Sequence, residues 1–87
     1  MEYIIVTGTS RGIGFELSKL LADAGYKVLA LSRNAEPIKN LNHKNIEAFS
    51  FDVSAKESRD HLSKFLKDKS ASVLALINNA GKLIKKG

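Results

Sequence analysis

Residues 7 to 14 read Thr7-Gly8-Thr9-Ser10-Arg11-Gly12-Ile13-Gly14, a glycine loop set between two segments of opposite periodicity. Ahead of it, Tyr3-Ile4-Ile5-Val6-Thr7 is a short apolar, β-branched run with no alternation, the pattern of a buried strand. Behind it, Ile13, Leu17, Leu20, Leu21 and Ala24 recur at three- and four-residue steps, which predicts a helix over 13–24 with these residues on one apolar face. Gly25 supplies the left-handed residue that ends such a helix. A loop confined in this way sits at a strand-to-helix joint. Gly8 suits a sharp exit from the strand, Gly12 lets backbone approach a diphosphate, and Gly14 allows close helix–sheet packing. The unpaired amides at the helix start, reinforced by the helix dipole, favour phosphate. The spacing differs from G-x-G-x-x-G, so the glycines taken alone are also open to a purely packing role.

The rest of the chain repeats the alternation. Lys27-Val28-Leu29-Ala30-Leu31-Ser32 is a second strand, and a short helix runs from Pro37 to about Leu41. A third strand spans Ile46 to Phe51. Ser54-Ala55-Lys56-Glu57 matches a capping box, opening a helix that ends near Lys69 with Leu62, Phe65 and Leu66 inward. Val73-Leu74-Ala75-Leu76-Ile77 is a fourth strand, apolar throughout as for a strand covered on both faces, and is broken by Asn78-Asn79-Ala80-Gly81. The order β-α-β-α-β-α-β predicts an α/β fold with a doubly wound parallel sheet and right-handed crossovers. In that topology the fourth strand lies beside the first. Its outer edge is then bare and apolar, so the chain is expected to be truncated or to assemble with a partner, as in a homo-oligomer.

Composition bounds the function classes. Eighty-seven residues allow one domain, residues 1–87, with a modest core. With no cysteine there is no disulfide, thiolate metal site or thiol nucleophile, in keeping with a cytoplasmic setting. The apolar runs are too short for a membrane span. A net charge of +5 raises nucleic acid as a partner, but the lysines are scattered and no aromatic residues interleave with them to stack bases. Solvated helix faces explain the charge.

The segment Thr7–Gly14, with its Gly-Ile-Gly ending, resembles the cofactor loop of short-chain dehydrogenases/reductases. Asp52-Val53 after the third strand resembles that family's adenine-ring contact, and Asn78-Asn79-Ala80-Gly81 after the fourth matches its Asn-Asn-Ala-Gly signature. The resemblance spans all 87 residues but only the front part of the family's longer chain. It implies a Rossmann-like domain, cut after its first four strands. The parent would be an oxidoreductase moving hydride between a nicotinamide dinucleotide and a small carbonyl or alcohol substrate. Carried over residue by residue, the cofactor contacts are Gly8, Ser10, Arg11, Gly12, Ile13, Gly14, Arg33, Asp52, Val53, Asn79, Ala80 and Gly81. Asn78 is assigned instead to tying neighbouring strands together. Asp52 also reads as a helix N-cap.

An acid at the end of the second strand normally grips the ribose hydroxyls of NAD, whereas an arginine there accommodates the 2′-phosphate of NADP. This strand ends Leu31-Ser32-Arg33, with no carboxylate before Glu36. Arg33 can pair with a phosphate through two parallel bonds, and Arg11 can clamp it from the loop. NADP is the cofactor expected, with NAD the less favoured.

The family's chemistry uses Tyr-x-x-x-Lys with an upstream serine, the tyrosine acting as acid/base with its pKa lowered. Tyr3 is followed four residues on by Thr7 and Tyr26 by Ala30, so both tyrosines read as packing residues. His43 and His61 read as surface residues, and no metal set is seen. No catalytic residue carries over. The chain is expected to hold cofactor without turnover. The alternative is a non-catalytic nucleotide-binding or self-associating module.

Overall fold

The computed structural model describes residues 1–9, 12–52 and 54–78. The elements are β1 (Glu2–Thr7), α1 (Gly12–Asp23), β2 (Lys27–Ser32), α2 (Glu36–Lys39), β3 (Ile46–Ser50), α3 (Lys56–Asp68) and β4 (Ser72–Ile77). Neighbouring strands pair in parallel in the order β3-β2-β1-β4. This is the expected Rossmann-like layout. The chain winds outward from β1 through β2 to β3, then returns to place β4 on the other side of β1.

Right-handed crossovers make that reversal carry α3 to the opposite face of the sheet from α1 and α2. Successive strand residues point to opposite faces, so each inner strand feeds two cores. Ile4, Val6, Val28 and Ala30 pack with Ala22 of α1 and Ile38 of α2. Tyr3, Ile5, Leu29 and Leu31 form the second core, against which Leu62, Phe65 and Leu66 of α3 pack. The predicted inward face of α3 is therefore the observed one. Edge-to-face ring contacts join Phe65 to Tyr3 and to Phe49, with centroids 5.8 and 4.9 Å apart. Lys56–Asp60 and Lys64–Asp68 pairs, at 2.8 and 3.1 Å, lie among its exposed side chains.

Helix α1 corrects the expectation for its apolar stripe. Ile13 is 76% exposed and Leu20 66%, while Gly14, Ser18 and Ala22 are the buried positions, flanked by half-buried Phe15 and Leu21. Small residues at four-residue steps let the helix lie close on the sheet, and the Ser18 hydroxyl is satisfied by donating to the Gly14 carbonyl at 2.9 Å. Leu20 and Ile13 belong to a second apolar stripe that the described residues leave uncovered. Gly25, at φ +102°, ends this helical segment, as expected.

The capping box is also corrected. The N-cap of α3 is Ala55, with no side-chain cap, and Ser54 bonds to Asp52 instead of pairing with Glu57. Strand β4 is paired on one edge and exposed on its faces, Leu76 by 63%, so the expected two-sided cover is not supplied by the described residues. Its register against β1 shifts between Tyr3 and Ile4, leaving Leu74 as the extra residue.

Candidate functional site

The C-terminal ends of four parallel strands necessarily open on one rim, and the sequence-selected residues lie there. Four interactions run along the rim from β4 to β3. The Thr7 hydroxyl at the end of β1 donates to Asn78 Oδ1 beyond β4 at 2.9 Å, which is the strand-tying role expected of Asn78. Thr9, fully buried in the glycine loop, donates to the Leu31 carbonyl of β2 through both its amide, at 3.4 Å, and its hydroxyl, at 3.3 Å. The Phe51 amide donates to the Ser32 carbonyl at 2.7 Å, continuing the β2–β3 ladder past the strand ends. Arg33 and Asp52 are the residues that follow this pair in sequence, and the charge of Arg33 is the last and smallest of the influences that lower the Asp52 carboxyl. Strand order thus brings the loop after β1, the Arg33 turn and the Asp52 turn into one continuous rim.

Within it, Gly12 opens α1 at φ +67°, a conformation that strains any residue with a Cβ. A Cβ built there meets nothing within 4 Å, so among the described residues no neighbour fills the space beside it. Gly8 also has positive φ, +66°, where the chain leaves β1. Gly14 is buried and Ile13 exposed at the start of the helix. Amides of the first helical turn have no intrahelical acceptor. Of the other predicted contacts, Ser10, Arg11, Val53, Asn79, Ala80 and Gly81 lie outside the described residues.

The turn after β2 is held by its own side chains. Ser32 donates its hydroxyl to the Asn34 carbonyl at 2.7 Å, and Asn34 Oδ1 accepts the Glu36 amide at 3.2 Å. No carboxylate from this turn competes with Arg33 until Glu36, which begins α2.

Asp52 is not the cap of α3. Its Oδ1 accepts both the Ser54 hydroxyl, at 2.8 Å, and the Ser54 amide, at 3.0 Å. These bonds, the hydroxyl first, hold its carboxyl below the usual carboxylate range; partial burial opposes them and Arg33 adds to them. A depressed folded-state pKa stabilises the fold above the ordinary carboxylate value, and that contribution is lost as pH falls through the lowered one. Asp52→Asn is therefore expected to flatten the acid limb of a stability-against-pH curve by lowering stability in the neutral region, with the most acid end little changed. Urea unfolding at pH 2–7 reads this, and parallel curves for the two proteins would contradict it.

The tyrosines and histidines give no acid/base pair. Tyr3 is buried, and burial followed by the charge of Glu47 pushes its phenol up, the direction opposite to that of a proton-transferring tyrosine. Tyr26, expected to pack, is 46% exposed. His43, half-buried at the surface, accepts the Asn45 amide at Nδ1 (3.1 Å) and donates from Nε2 to Asp23 (2.8 Å), fastening the end of α1 to the segment before β3. The His61 ring packs 5.2 Å from that of Phe49. Among the described residues no three His, Cys, Asp or Glu side chains cluster as a metal site, and no helix is long and apolar enough to cross a membrane.

Two contributors were not visible in the sequence. Thr9 falls within the glycine segment, but nothing in its spacing announces a buried clamp onto β2. Ser58, in the first turn of α3, accepts the Asp52 amide at 3.1 Å, a contact that exists only because α3 folds back on the β3 exit.

A doubly wound parallel sheet with a glycine turn at its strand-order reversal belongs to the Rossmann-like class of α/β domains. The short chain dehydrogenase family model matches residues 2–87, and the chain belongs to that family. It is 34% identical over 89 residues to salutaridine reductase of Papaver bracteatum, covering 93% of this chain and 29% of the relative. Among solved structures it is similar to 4-hydroxyisoleucine dehydrogenase complexed with NADH, with TM-score 0.80 and 26% identity over 94% of this chain and 35% of that one. It is also similar to RhlG of Pseudomonas aeruginosa in an NADP active-site complex, with TM-score 0.72 and 31% identity over 93% of this chain and 35% of that one. The chain therefore spans about a third of the length of these proteins.

Proposed function

We propose that this chain is the dinucleotide-binding half of an NADP-dependent oxidoreductase whose whole protein reduces a carbonyl or oxidises an alcohol. The observation that carries the reading is the continuous rim, in which the glycine loop, Arg33 and Asp52 are joined through Thr9, Leu31 and Ser32. The residues present fit the cofactor. Gly12 faces space a Cβ would occupy, the first amides of α1 are available for a diphosphate, Arg33 suits a 2′-phosphate, and Asp52 accepts an amino group. When bound, the nicotinamide supplies or accepts the hydride; the chain's residues bind and orient it. Solved relatives carry NADH in one case and NADP in another, so the preference rests on Arg33 and on the absence of an acid at position 32.

Titration of the chain with NADPH and NADH, followed by the nicotinamide fluorescence, tests this. NADPH is expected to bind more tightly, and neither to turn over with simple carbonyls. Failure to bind either removes the cofactor reading, and equal affinities remove the NADP preference. The exposed β4 edge favours assembly through a further strand, so the second reading, a self-associating module, shares the expectation of a mass above one chain in light scattering. Binding of neither nucleotide together with such assembly would favour it.

A further inference from the structure

Asp52 holds its position through more bonds than an adenine contact at a strand end requires. Its amide donates to Ser58 Oγ at 3.1 Å, its carbonyl accepts the Ala55 amide at 2.9 Å, and its Oδ1 takes both Ser54 donors. Among the described residues no donor reaches Oδ2. Three of these bonds join Asp52 to Ser54 and Ala55, two and three positions away in the chain. The bond to Ser58 differs. It is made by the third residue of α3, a helix seated on the second core through Leu62, Phe65 and Leu66, and it reaches back six positions to the backbone.

We propose that Ser58 is a positioning residue for adenine recognition: its hydroxyl locks the Asp52 backbone to the first turn of α3, so that the turn presents Oδ2 in one place to the adenine amino group. This rests on the adenine role proposed for Asp52. The chemistry is that of preorganisation. A carboxylate fixed before binding loses less freedom when the nucleotide arrives, so the bond to the amino group is worth more. Without Ser58 the Asp52–Ser54 contacts persist, but the turn is no longer referenced to α3, and the buried side of the amide loses its acceptor. Ser54 sets the ionisation of Asp52; Ser58 sets its place.

The test compares Ser58→Ala and Ser58→Thr with the parent protein, each titrated with NADPH and with its hypoxanthine analogue, in which a carbonyl oxygen replaces the amino group. The parent protein is expected to prefer NADPH. Ser58→Ala is expected to lose about 5-fold in NADPH affinity, the worth of one hydrogen bond, with less than about 2-fold change for the analogue. Ser58→Thr, which keeps the hydroxyl, restores the parent values. Equal losses on both nucleotides in Ser58→Ala, or no loss on either, overturn the positioning role. If Ser58→Ala does not fold, Ser58→Thr and Ser58→Cys carry the test, the weaker sulfur acceptor having to lower NADPH affinity selectively. Equal binding of the two nucleotides by the parent protein itself is the separate result that removes the adenine role of Asp52.

Discussion

Arg33→Ala is expected to weaken NADPH binding by roughly 10- to 100-fold while moving NADH binding by less than about 2-fold. The magnitude is that of hydrogen bonds to a charged group, about 1.5–3 kcal/mol, removed from a phosphate that NADH does not carry. Arg33→Lys should fall between the two, because an ammonium keeps the charge and loses the planar fork. The substitution also has a signature without ligand. Arg33 is one of the groups that lower the Asp52 carboxyl, so in Arg33→Ala that carboxyl should titrate closer to its ordinary range, readable by NMR. Equal losses for the two nucleotides would show that Arg33 supports the turn and not the phosphate.

Leu29→Ala should be the most damaging single truncation in the core. Leu29 is, with Ile38, among the largest fully buried side chains of the described residues and stands in β2, flanked by β1 and β3, facing the α3 side. Truncating a buried leucine costs about 2–5 kcal/mol through lost transfer energy and the cavity left behind. A domain of this size has about 4–13 kcal/mol in total. The variant should therefore lose a large part of its urea midpoint or fail to fold. Leu76→Ala, at an exposed position of β4, provides the contrast and should stay within about 0.5 kcal/mol. A Leu29→Ala midpoint within that same margin would show that the α3-side core contributes little to stability.

Much of this architecture is legible in residue order because strands and helices carry different periods. The runs 3–7, 27–32 and 73–77 contain no polar interruption long enough to hide them, and the observed strands begin and end within a residue of those bounds. Strand order followed from the number and type of elements, since β-α-β-α-β-α-β with right-handed crossovers leaves few choices. Faces were harder. In α1 the large residues Ile13, Leu17 and Leu20 mark an apolar stripe, yet the sheet is met mainly by Gly14, Ser18 and Ala22. Hydrophobicity ranks side chains by what they would gain from burial. Close approach to a sheet instead selects small ones, and a sequence pattern does not distinguish the two needs. The capping box failed for a related reason: Ser54 had two possible partners at short range, and the Asp52 carboxylate, a charged acceptor, held it in place of Glu57.

By itself the sequence determined the glycine loop, the alternation of elements and the identity of the groups at each strand end, Arg33 and Asp52 among them. These are properties of local spacing and side-chain chemistry, and they survive in one dimension. Tertiary structure decided which of those groups meet. Thr9 on the Leu31 carbonyl, Ser58 on the Asp52 amide and Thr7 on Asn78 link residues separated by 22, 6 and 71 positions. A hydrogen bond requires two atoms within about 3.5 Å at a favourable angle, and only the packed sheet, with α3 returned to its face, sets those distances.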